Sequence, residues 1–181
     1  VTVATKEQLD RDQVYGLNDL QRITPALEIS QTSGGETNGG GRLRGVGTGV
    51  FNPSVASSVA VIIDQVPIGN LSFPQLFDLA QVEVLRGPQG TLFGRNSSAG
   101  AISIVTREPV DEFDAFARLR LGEYNKVRVD GMVNVPLSED VALRVNGVWN
   151  ESDGWVQDAA TGKDLWPEEN WAMRAALKWD L

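Results

Sequence analysis

Two short stretches of this sequence carry residue types that could bind or transform a small molecule. Gly45, Gly47 and Gly49 alternate with other residues, as in loops that cradle phosphates. A phosphate-binding loop also needs a lysine at a set spacing and a following helix, so a flexible loop is the better interpretation. Ser97 and Ser98 could act as nucleophiles only beside a base. The sequence contains no histidine, so hydroxyls that cap a turn are favoured.

A third stretch is acidic and could supply the oxygen ligands that calcium requires. Its carboxylates are Asp153, Asp158, Asp164, Glu168 and Glu169. Their spacing does not match an EF-hand, which favours a solvated acidic loop. The absence of cysteine and histidine also excludes disulfides, thiolate zinc sites and catalysis by a histidine base. No cofactor, no metal ion and no enzymatic activity are predicted.

The composition narrows the class of protein further. A chain of 181 residues is long enough for one or two domains. Its net charge of −8 argues against a nucleic acid partner, because neutralising phosphates needs a basic patch. No run approaches the roughly 18 apolar residues that a transmembrane helix requires.

Residues 1–110 mix helical and strand patterns and predict a small α+β domain that could position the glycine-rich loops. Thr5 and Gln8 fit a capping box that would open a helix, and Pro25 would end a second short helix. The expected elements are a strand over 1–4, a helix over 5–12, a short helix over 17–23, and strands over 27–30, 59–67, 82–85 and 101–106.

Residues 111–181 change to a period of two, in four segments with one apolar and one polar face. The apolar faces comprise Ala115, Ala117, Leu119 and Leu121; Val127, Val129, Gly131, Val133 and Val135; Val141, Leu143, Val145 and Trp149; and Trp171, Met173, Ala175, Leu177 and Trp179. Soluble antiparallel sheets alternate in the same way. Charges that recur in register, tryptophans near strand ends, and short and long connections favour transmembrane β-barrel strands with apolar faces toward lipid. Four strands cannot close a barrel, so a larger barrel is predicted.

Several motifs resemble those of TonB-dependent outer-membrane transporters. Residues 82–109 read VEVLRGPQGTLFGRNSSAGAISIVTREP, which is close to the family's plug-domain motif. Residues 42–45, RLRG, resemble its IRG strand. Residues 62–67, IIDQVP, resemble its DGVP element with Gln65 in place of glycine. Residues 20–27, LQRITPAL, resemble the end of a family helix.

The resemblance implies a plug domain, residues 1–110, followed by the first four strands of a barrel of about 22 strands, residues 111–181. Such transporters lie in the outer membrane of Gram-negative bacteria. They bind a scarce nutrient, most often an iron–siderophore complex, and admit it to the periplasm. The TonB–ExbB–ExbD complex pulls on a TonB box, which would precede Val1, and remodels the plug. The expected partners are this complex, a ligand such as a ferric siderophore, and outer-membrane lipid, without nucleic acid.

The resemblance also assigns roles to individual residues. Arg44, Glu83 and Arg86 match positions that are thought to latch the plug to the barrel wall. Charged pairs facing a polar lumen would hold the plug and still break under force. The residues expected to face the substrate at the plug apex are Asn70, Phe73, Arg95 and Asn96.

Two other functions stay open on the sequence alone. The chain could be a soluble, plug-like periplasmic module that binds a ligand without entering a membrane, which membrane fractionation would detect. It could also be an enzyme built on the glycine-rich loop, which a turnover assay on nucleotides or esters would detect. No residue gives positive support to the enzyme.

Overall fold

The computed structural model of the chain describes residues 1–29, 41–48, 57–68, 76–94, 96–154, 156–165 and 167–180. These residues form two compact units, Val1–Thr106 and Arg107–Leu181. The predicted domain boundary, between residues 110 and 111, falls close to this division. Within the described residues, no helix combines the length and the apolar character needed to cross a bilayer.

The first unit is a small α+β domain, as predicted. Its elements, in chain order, are β1 (Thr2–Thr5), α1 (Lys6–Arg11), a 3₁₀ turn (Leu17–Asp19), α2 (Leu20–Ile23), β2 (Leu27–Ile29), β3 (Gly41–Leu43), β4 (Val46–Gly47), β5 (Val59–Ile63), β6 (Val66–Ile68), β7 (Leu79–Arg86), α3 (Gly90–Phe93) and β8 (Gly100–Thr106). Five strands make a mixed sheet in the order β1-β7-β8-β5-β6, and β2, β3 and β4 make a second, three-stranded sheet.

The core of this unit forms where the β-branched strands pack together. Val59 and Val61 on β5 and Ile102 and Ile104 on β8 are almost completely buried. β8 pairs in parallel with β5 and antiparallel with β7, so it has a partner on each edge. Helices and loops complete the core with Leu9, Val14, Leu17, Leu20 and Leu76.

The prediction of one continuous strand over 59–67 is wrong, because the chain reverses direction within this range. Asp64 and Gln65 both have positive φ, 46° and 69°, and join β5 to β6 as a tight antiparallel hairpin. Two consecutive residues with positive φ are typical of the turns that match the twist of a two-residue hairpin. Glycine is the usual residue in such turns, so the sequence gives a weak signal for this one.

The two predicted short helices are present, but the predicted capping box is wrong. Thr5 is the N-cap of α1 and its side chain makes no capping hydrogen bond. The 3₁₀ turn that follows has Gly16 as its N-cap, and Asp19, its third residue, accepts hydrogen bonds at Oδ2 from the backbone amides of Tyr15 and Gly16, each at 3.0 Å. These bonds supply an acceptor for the two backbone amides that lead into the turn.

The second unit is an antiparallel sheet of four long strands, as the period of two predicts. Its elements are β9 (Asp114–Leu121), β10 (Val127–Pro136), β11 (Val141–Ser152), β12 (Val156–Gln157), β13 (Asp164–Leu165) and β14 (Glu168–Trp179), and the long strands follow the order β14-β11-β10-β9. Short connections, 122–126 and 137–140, join the first three long strands. The longer third connection contains an unpredicted hairpin of β12 and β13.

The four-stranded sheet is inside out compared with a sheet of a soluble protein. Its apolar face is exposed, with Leu121 at 74% and Trp171 at 74% of full exposure. Its polar face is buried along the two central strands, β10 and β11, with Arg144 at 2% and Asn134 at 0% of full exposure. A soluble antiparallel sheet would bury the apolar face and hydrate the polar one.

Candidate functional site

The loop between β7 and β8 carries the glycine-rich motif and is held by its own backbone. β7 ends at Arg86, and Gly87 turns the chain with a φ of 90°. The Gly87 amide donates to the Ala99 carbonyl at 3.0 Å, which closes the loop at its base. Ser97 is fully buried and its hydroxyl donates to the Gly94 carbonyl at 2.7 Å. This bond confirms that Ser97 caps a turn, as its sequence context indicates.

Gly100 shows why the motif requires a glycine where β8 begins. A Cβ at this position would lie 2.3 Å from the Leu85 carbonyl oxygen and 2.4 Å from Leu43 Cδ1. Both distances are far shorter than any real Cβ contact. The Leu85 carbonyl belongs to the backbone of β7, so it cannot shift without disturbing that strand. Glycine therefore lets β8 approach both β7 and the β3 strand closely.

The structure places Glu83 and Arg86 on opposite faces of β7. Residues at odd separations on a strand point to opposite sides, and the neighbours Val82 and Val84 face the core. Glu83 accepts a hydrogen bond from Gln81 Nε2 at 3.0 Å. The Arg86 Nη2 donates to the hydroxyl of Thr2, the first residue of β1. Glu83 and Arg86, two of the three residues expected to act as latches, therefore do not pair with each other.

The other predicted residues are more scattered. Arg44 lies exposed in the turn between β3 and β4, with a φ of 55°, and its backbone amide donates to the Ala26 carbonyl at 2.8 Å. Asn96 is half-buried with a φ of 71°. The remaining apex candidates, Asn70, Phe73 and Arg95, lie outside the described residues.

The polar face of the second unit holds an arginine cluster that the sequence did not predict, formed by Arg118, Arg120 and Arg128 around Asp130. Arg118 Nη2 lies 2.8 Å from Asp130 Oδ2 and Arg128 Nε lies 3.9 Å from Asp130 Oδ1. Arg120 Nη1 also contacts Oδ1. The Asp130 side chain is only 4% exposed, so its charge depends on these guanidinium groups.

Strand register creates the arginine cluster. The short turn at 122–126 pairs Leu121 with Val127, which brings Arg118 opposite Asp130 and Arg120 opposite Arg128. Like charges directly across two strands repel, and the shared carboxylate between them offsets this repulsion. The turn length was visible in the sequence, but its exact register was not.

Another buried polar group of this face holds the chain segment that leads into β9. Asn134 accepts a hydrogen bond from the Val110 amide at 3.0 Å and donates to the carbonyls of Val110 and Glu112, both at 2.7 Å. Lys178 Nζ lies 3.3 Å from Asp111 Oδ1. Side chains of β10 and β14 therefore fix the path of residues 107–112.

Tryptophans mark both ends of the exposed apolar face. Trp149 on β11 is the register partner of Trp171 on β14, and Trp179 ends β14. The eight residue-to-residue steps from Trp171 to Trp179 span about 27 Å of strand. At the usual tilt of about 40° this is about 20 Å across a bilayer, close to the apolar band of about 25 Å in outer-membrane barrels. The spacing fits aromatic side chains at two membrane–water interfaces.

The acidic connection does not build a metal site within the part of the chain that the structure describes, where no three potential ligands converge. Asp158 instead closes a local turn. Its carboxylate accepts hydrogen bonds from the Ala160 amide and the Thr161 hydroxyl, each at 2.8 Å. These bonds, the one from Ala160 first, lower the pKa of Asp158 below its usual value because they favour the charged form.

Comparison with known proteins identifies the family. The model of the TonB-dependent receptor plug domain matches residues 1–101. The chain belongs to this family. It is 36% identical over 167 residues to the pesticin receptor of Yersinia enterocolitica, which covers 90% of this chain and 24% of that protein. It is 25% identical over 179 residues to the ferrioxamine receptor of the same species, covering 99% of this chain and 24% of that protein.

The solved structures agree with the fold. The ferric yersiniabactin uptake receptor FyuA of Yersinia pestis superposes with a TM-score of 0.79 at 27% identity, over 97% of this chain and 28% of that one. The pyoverdine receptor FpvA of Pseudomonas aeruginosa superposes at 0.78, over 99% of this chain and 25% of that one, and its 21% identity supports the fold alone.

Membership of this family tests the predicted architecture, the predicted location and the prediction that the chain is not an enzyme. The chain spans about a quarter of the length of the curated relatives that it matches. Its architecture, a plug followed by antiparallel strands of a plugged barrel, is confirmed. Proteins of this family are outer-membrane receptors of Gram-negative bacteria, which confirms the predicted location and the prediction that the chain is not part of an enzyme.

Proposed function

We propose that this chain forms the plug and the first barrel strands of a transporter that imports an iron–siderophore complex across the outer membrane. The cargo binds at the cell surface, and force from the TonB–ExbB–ExbD complex on the N-terminal side of the chain remodels the plug and admits the cargo to the periplasm. The barrel strands present their apolar faces to outer-membrane lipid.

The inside-out sheet is the observation that carries this proposal. Four strands expose apolar faces between tryptophans, and they bury Arg144, Asn134 and, in the arginine cluster, Arg128 and Asp130. In a soluble ligand-binding module this apolar face would be in contact with water. A large exposed apolar face is unfavourable in water and drives association. The sheet therefore supports transport through a membrane barrel over a soluble module.

The choice of cargo rests on the relatives. Two of them are named for iron chelates, ferric yersiniabactin and ferrioxamine. A third, the vitamin B12 transporter BtuB of Vibrio vulnificus, is 26% identical over 168 residues, so cobalamin is the cargo to compare. An iron–siderophore complex is proposed because it is the cargo class shared by more of these relatives.

The proposed roles of individual residues follow the family resemblance. Arg44, Glu83 and Arg86 are proposed to latch the plug through ion pairs with barrel strands, which force can break. The proposed apex residues that face the cargo are Asn70, Phe73, Arg95 and Asn96. Substitution of the latch residues should change the rate of energised uptake, and substitution of the apex residues should change the affinity for cargo.

Uptake by whole cells tests the function. The complete receptor would be expressed in a Gram-negative strain without its own siderophore receptors, with and without TonB. The probes would be radioactive iron bound to yersiniabactin or to ferrioxamine, and labelled cyanocobalamin. We expect accumulation of one ferric siderophore that requires TonB. Accumulation of cobalamin alone would overturn the proposed cargo, and recovery of the receptor in the soluble periplasmic fraction would overturn the transporter.

A further inference from the structure

We propose that β1 is a removable edge strand of the plug sheet, and that the hydrogen bond from Arg86 to Thr2 is the catch that holds it. The inference rests on the proposed function, since it concerns how a pull on the N-terminal side of the chain reaches the plug. It assigns to Arg86 a contact inside the first unit and gives Thr2 a role that no motif indicated.

β1 is one of the two edge strands of the sheet and the one on the N-terminal side of the chain, and its packing secures it only lightly. It has four residues, and of these only Ala4 is buried. It pairs with β7 alone within the described sheet, whereas β8 pairs on both edges. The Ala4 methyl group buries far less apolar surface than the valines and isoleucines of β5 and β8. Detachment of β1 therefore costs little hydrophobic burial.

The first firm anchor after β1 is in α1. Leu9 is 5% exposed and belongs to the core of the unit. Displacement of the chain from Thr2 to Thr5 therefore leaves the core in place, whereas further displacement has to extract Leu9. Displacement of β1 therefore requires little free energy, whereas displacement of α1 requires more because Leu9 has to leave the core.

The catch joins the start of β1 to the end of β7. Arg86 Nη2 donates to Thr2 Oγ1 across 84 positions of sequence. Thr2 is also the register partner of Val84, so the side-chain bond reinforces the end of the ladder where a pull on the N-terminal side would arrive first. The Arg86 guanidinium is charged, and a hydrogen bond from a charged donor is stronger than one between neutral groups. The Nε of the same guanidinium is buried and has no hydrogen-bond partner.

Detachment of β1 would act directly on the proposed latch. Val3 is the register partner of Glu83, and the catch itself holds Arg86. Removal of β1 would uncover the backbone edge of β7 beside Glu83 and release the Arg86 side chain in one step. Force on the N-terminal side of the chain would then alter the plug at residues 82–86, by removing the strand that pairs with β7 and the contact of Arg86.

Hydrogen exchange of the complete receptor in detergent tests the catch without any transport. We expect Thr2→Ala to speed exchange of the amides of residues 2–5 and 81–84 about tenfold, the effect of losing one charge-assisted hydrogen bond. Thr2→Ser keeps the hydroxyl and should match the wild type. Thr5→Ala, an exposed threonine at the other end of β1, is the matched control and should also match it. Equal exchange in Thr2→Ala and wild type would overturn the catch.

A disulfide tests whether β1 must leave. Thr5 and Gln81 are register partners, and the chain has no cysteine of its own. In the T5C/Q81C receptor, oxidation should leave binding of the imported siderophore intact and abolish its uptake, and reduction should restore uptake. The control is E28C/R42C, a register pair of β2 and β3, which should import in both states. Uptake by oxidised T5C/Q81C, or a block in both variants, would overturn the removable strand.

The two tests separate this inference from the proposed function. If the wild-type receptor shows no TonB-dependent uptake of any probe, the transporter is wrong, and the exchange experiment still decides whether Arg86 secures Thr2. If wild-type uptake is normal and the oxidised T5C/Q81C receptor also imports, the transporter stands and the removable strand is wrong.

Discussion

Asp64 accepts two hydrogen bonds from Thr106, one from the backbone amide to Oδ1 at 2.8 Å and one from the hydroxyl to Oδ2 at 2.7 Å. The backbone amide of Asp64 also donates to the Ile104 carbonyl at 3.0 Å. Thr106 is the last residue of the first unit. The turn between β5 and β6 therefore fastens the end of β8, at the point where the chain leaves the plug.

Replacement of Asp64 tests this fastening. Asp64→Ala removes both acceptors and should destabilise the end of β8 by about 1 kcal/mol, the usual contribution of such bonds at a partly solvated site. Asp64→Asn keeps one acceptor for the Thr106 amide and should lose less. Hydrogen exchange at Thr106 in the complete receptor measures both, and unchanged protection in Asp64→Ala would contradict the assignment.

Replacement of Gln65 by glycine should stabilise the plug. Gln65 holds a φ of 69°, in the left-handed region that costs residues with a Cβ about 1 kcal/mol. Glycine adopts this conformation freely, so we expect Gln65→Gly to raise the free energy of opening of the β5–β6 hairpin by about that amount. Gln89 has a φ of −118°, and Gln89→Gly is the matched control that should not stabilise. Faster exchange at Val66 in Gln65→Gly would refute the argument.

Asp130 should be essential to the stability of the barrel strands. Asp130→Asn leaves three arginines around a neutral group, and breaking a buried ion pair costs about 3–5 kcal/mol. Asp140→Asn makes the same change in an exposed turn and should alter stability by less than about 0.5 kcal/mol. Urea titration of the complete receptor in lipid bilayers, followed by tryptophan fluorescence, compares them. Equal midpoints for the two variants would count against the arginine cluster.

The exposed apolar face should tolerate charge only near its ends. Ala175 lies midway between Trp171 and Trp179, and Ala175→Arg should cost about 2–4 kcal/mol, as for arginine at the bilayer midplane. Glu169→Arg, beyond the tryptophan pair, should cost at most about 1 kcal/mol. The same urea titration measures both costs. A receptor that tolerates arginine equally at both positions would not have this face in lipid.

The Asp158 turn should open in acid. Because hydrogen bonds lower the pKa of Asp158 in the folded turn, the turn gains stability above the usual aspartate pKa and loses it as the pH falls through the lowered value. The Ala160 amide should therefore lose its exchange protection as the pH is lowered from about 6 to about 2. Asp158→Asn should show no such loss. Constant protection of Ala160 in the wild type would contradict the mechanism.

Patterns that depend on neighbouring residues were predictable from the sequence. The strands of the second unit follow from alternation alone, because each residue's side is set by its own position along the strand. The prediction that the apolar face of these strands is the exposed one also depends on the positions of the tryptophans and of the charged residues. Ser97 was assigned correctly for the same local reason, since a hydroxyl between glycines has few roles other than a turn.

Contacts between distant residues were not predictable in this way. No local rule joins Arg86 to Thr2 or Thr106 to Asp64, because each pair meets only after the sheet order is set. The turn at Gln65 is not predictable from the sequence, because glutamine rarely takes a positive φ and the valines on either side are typical of one continuous strand. The neighbouring turn residue, Asp64, is held by hydrogen bonds with Ile104 and Thr106, which are distant in sequence.

The position of β8 also determines when the plug sheet can form. β8 is the last of the five strands along the chain, and it lies between β7 and β5. A chain that emerges from its N-terminus can pair β5 with β6 early, but this hairpin and the β1–β7 pair have nothing to join them until residues 100–106 arrive. Assembly of the plug is therefore delayed by contacts of long sequence separation, which are slow to form. The five-stranded sheet is therefore completed only after the whole first unit has been synthesised, and the facing edges of β5 and β7 stay unpaired until then.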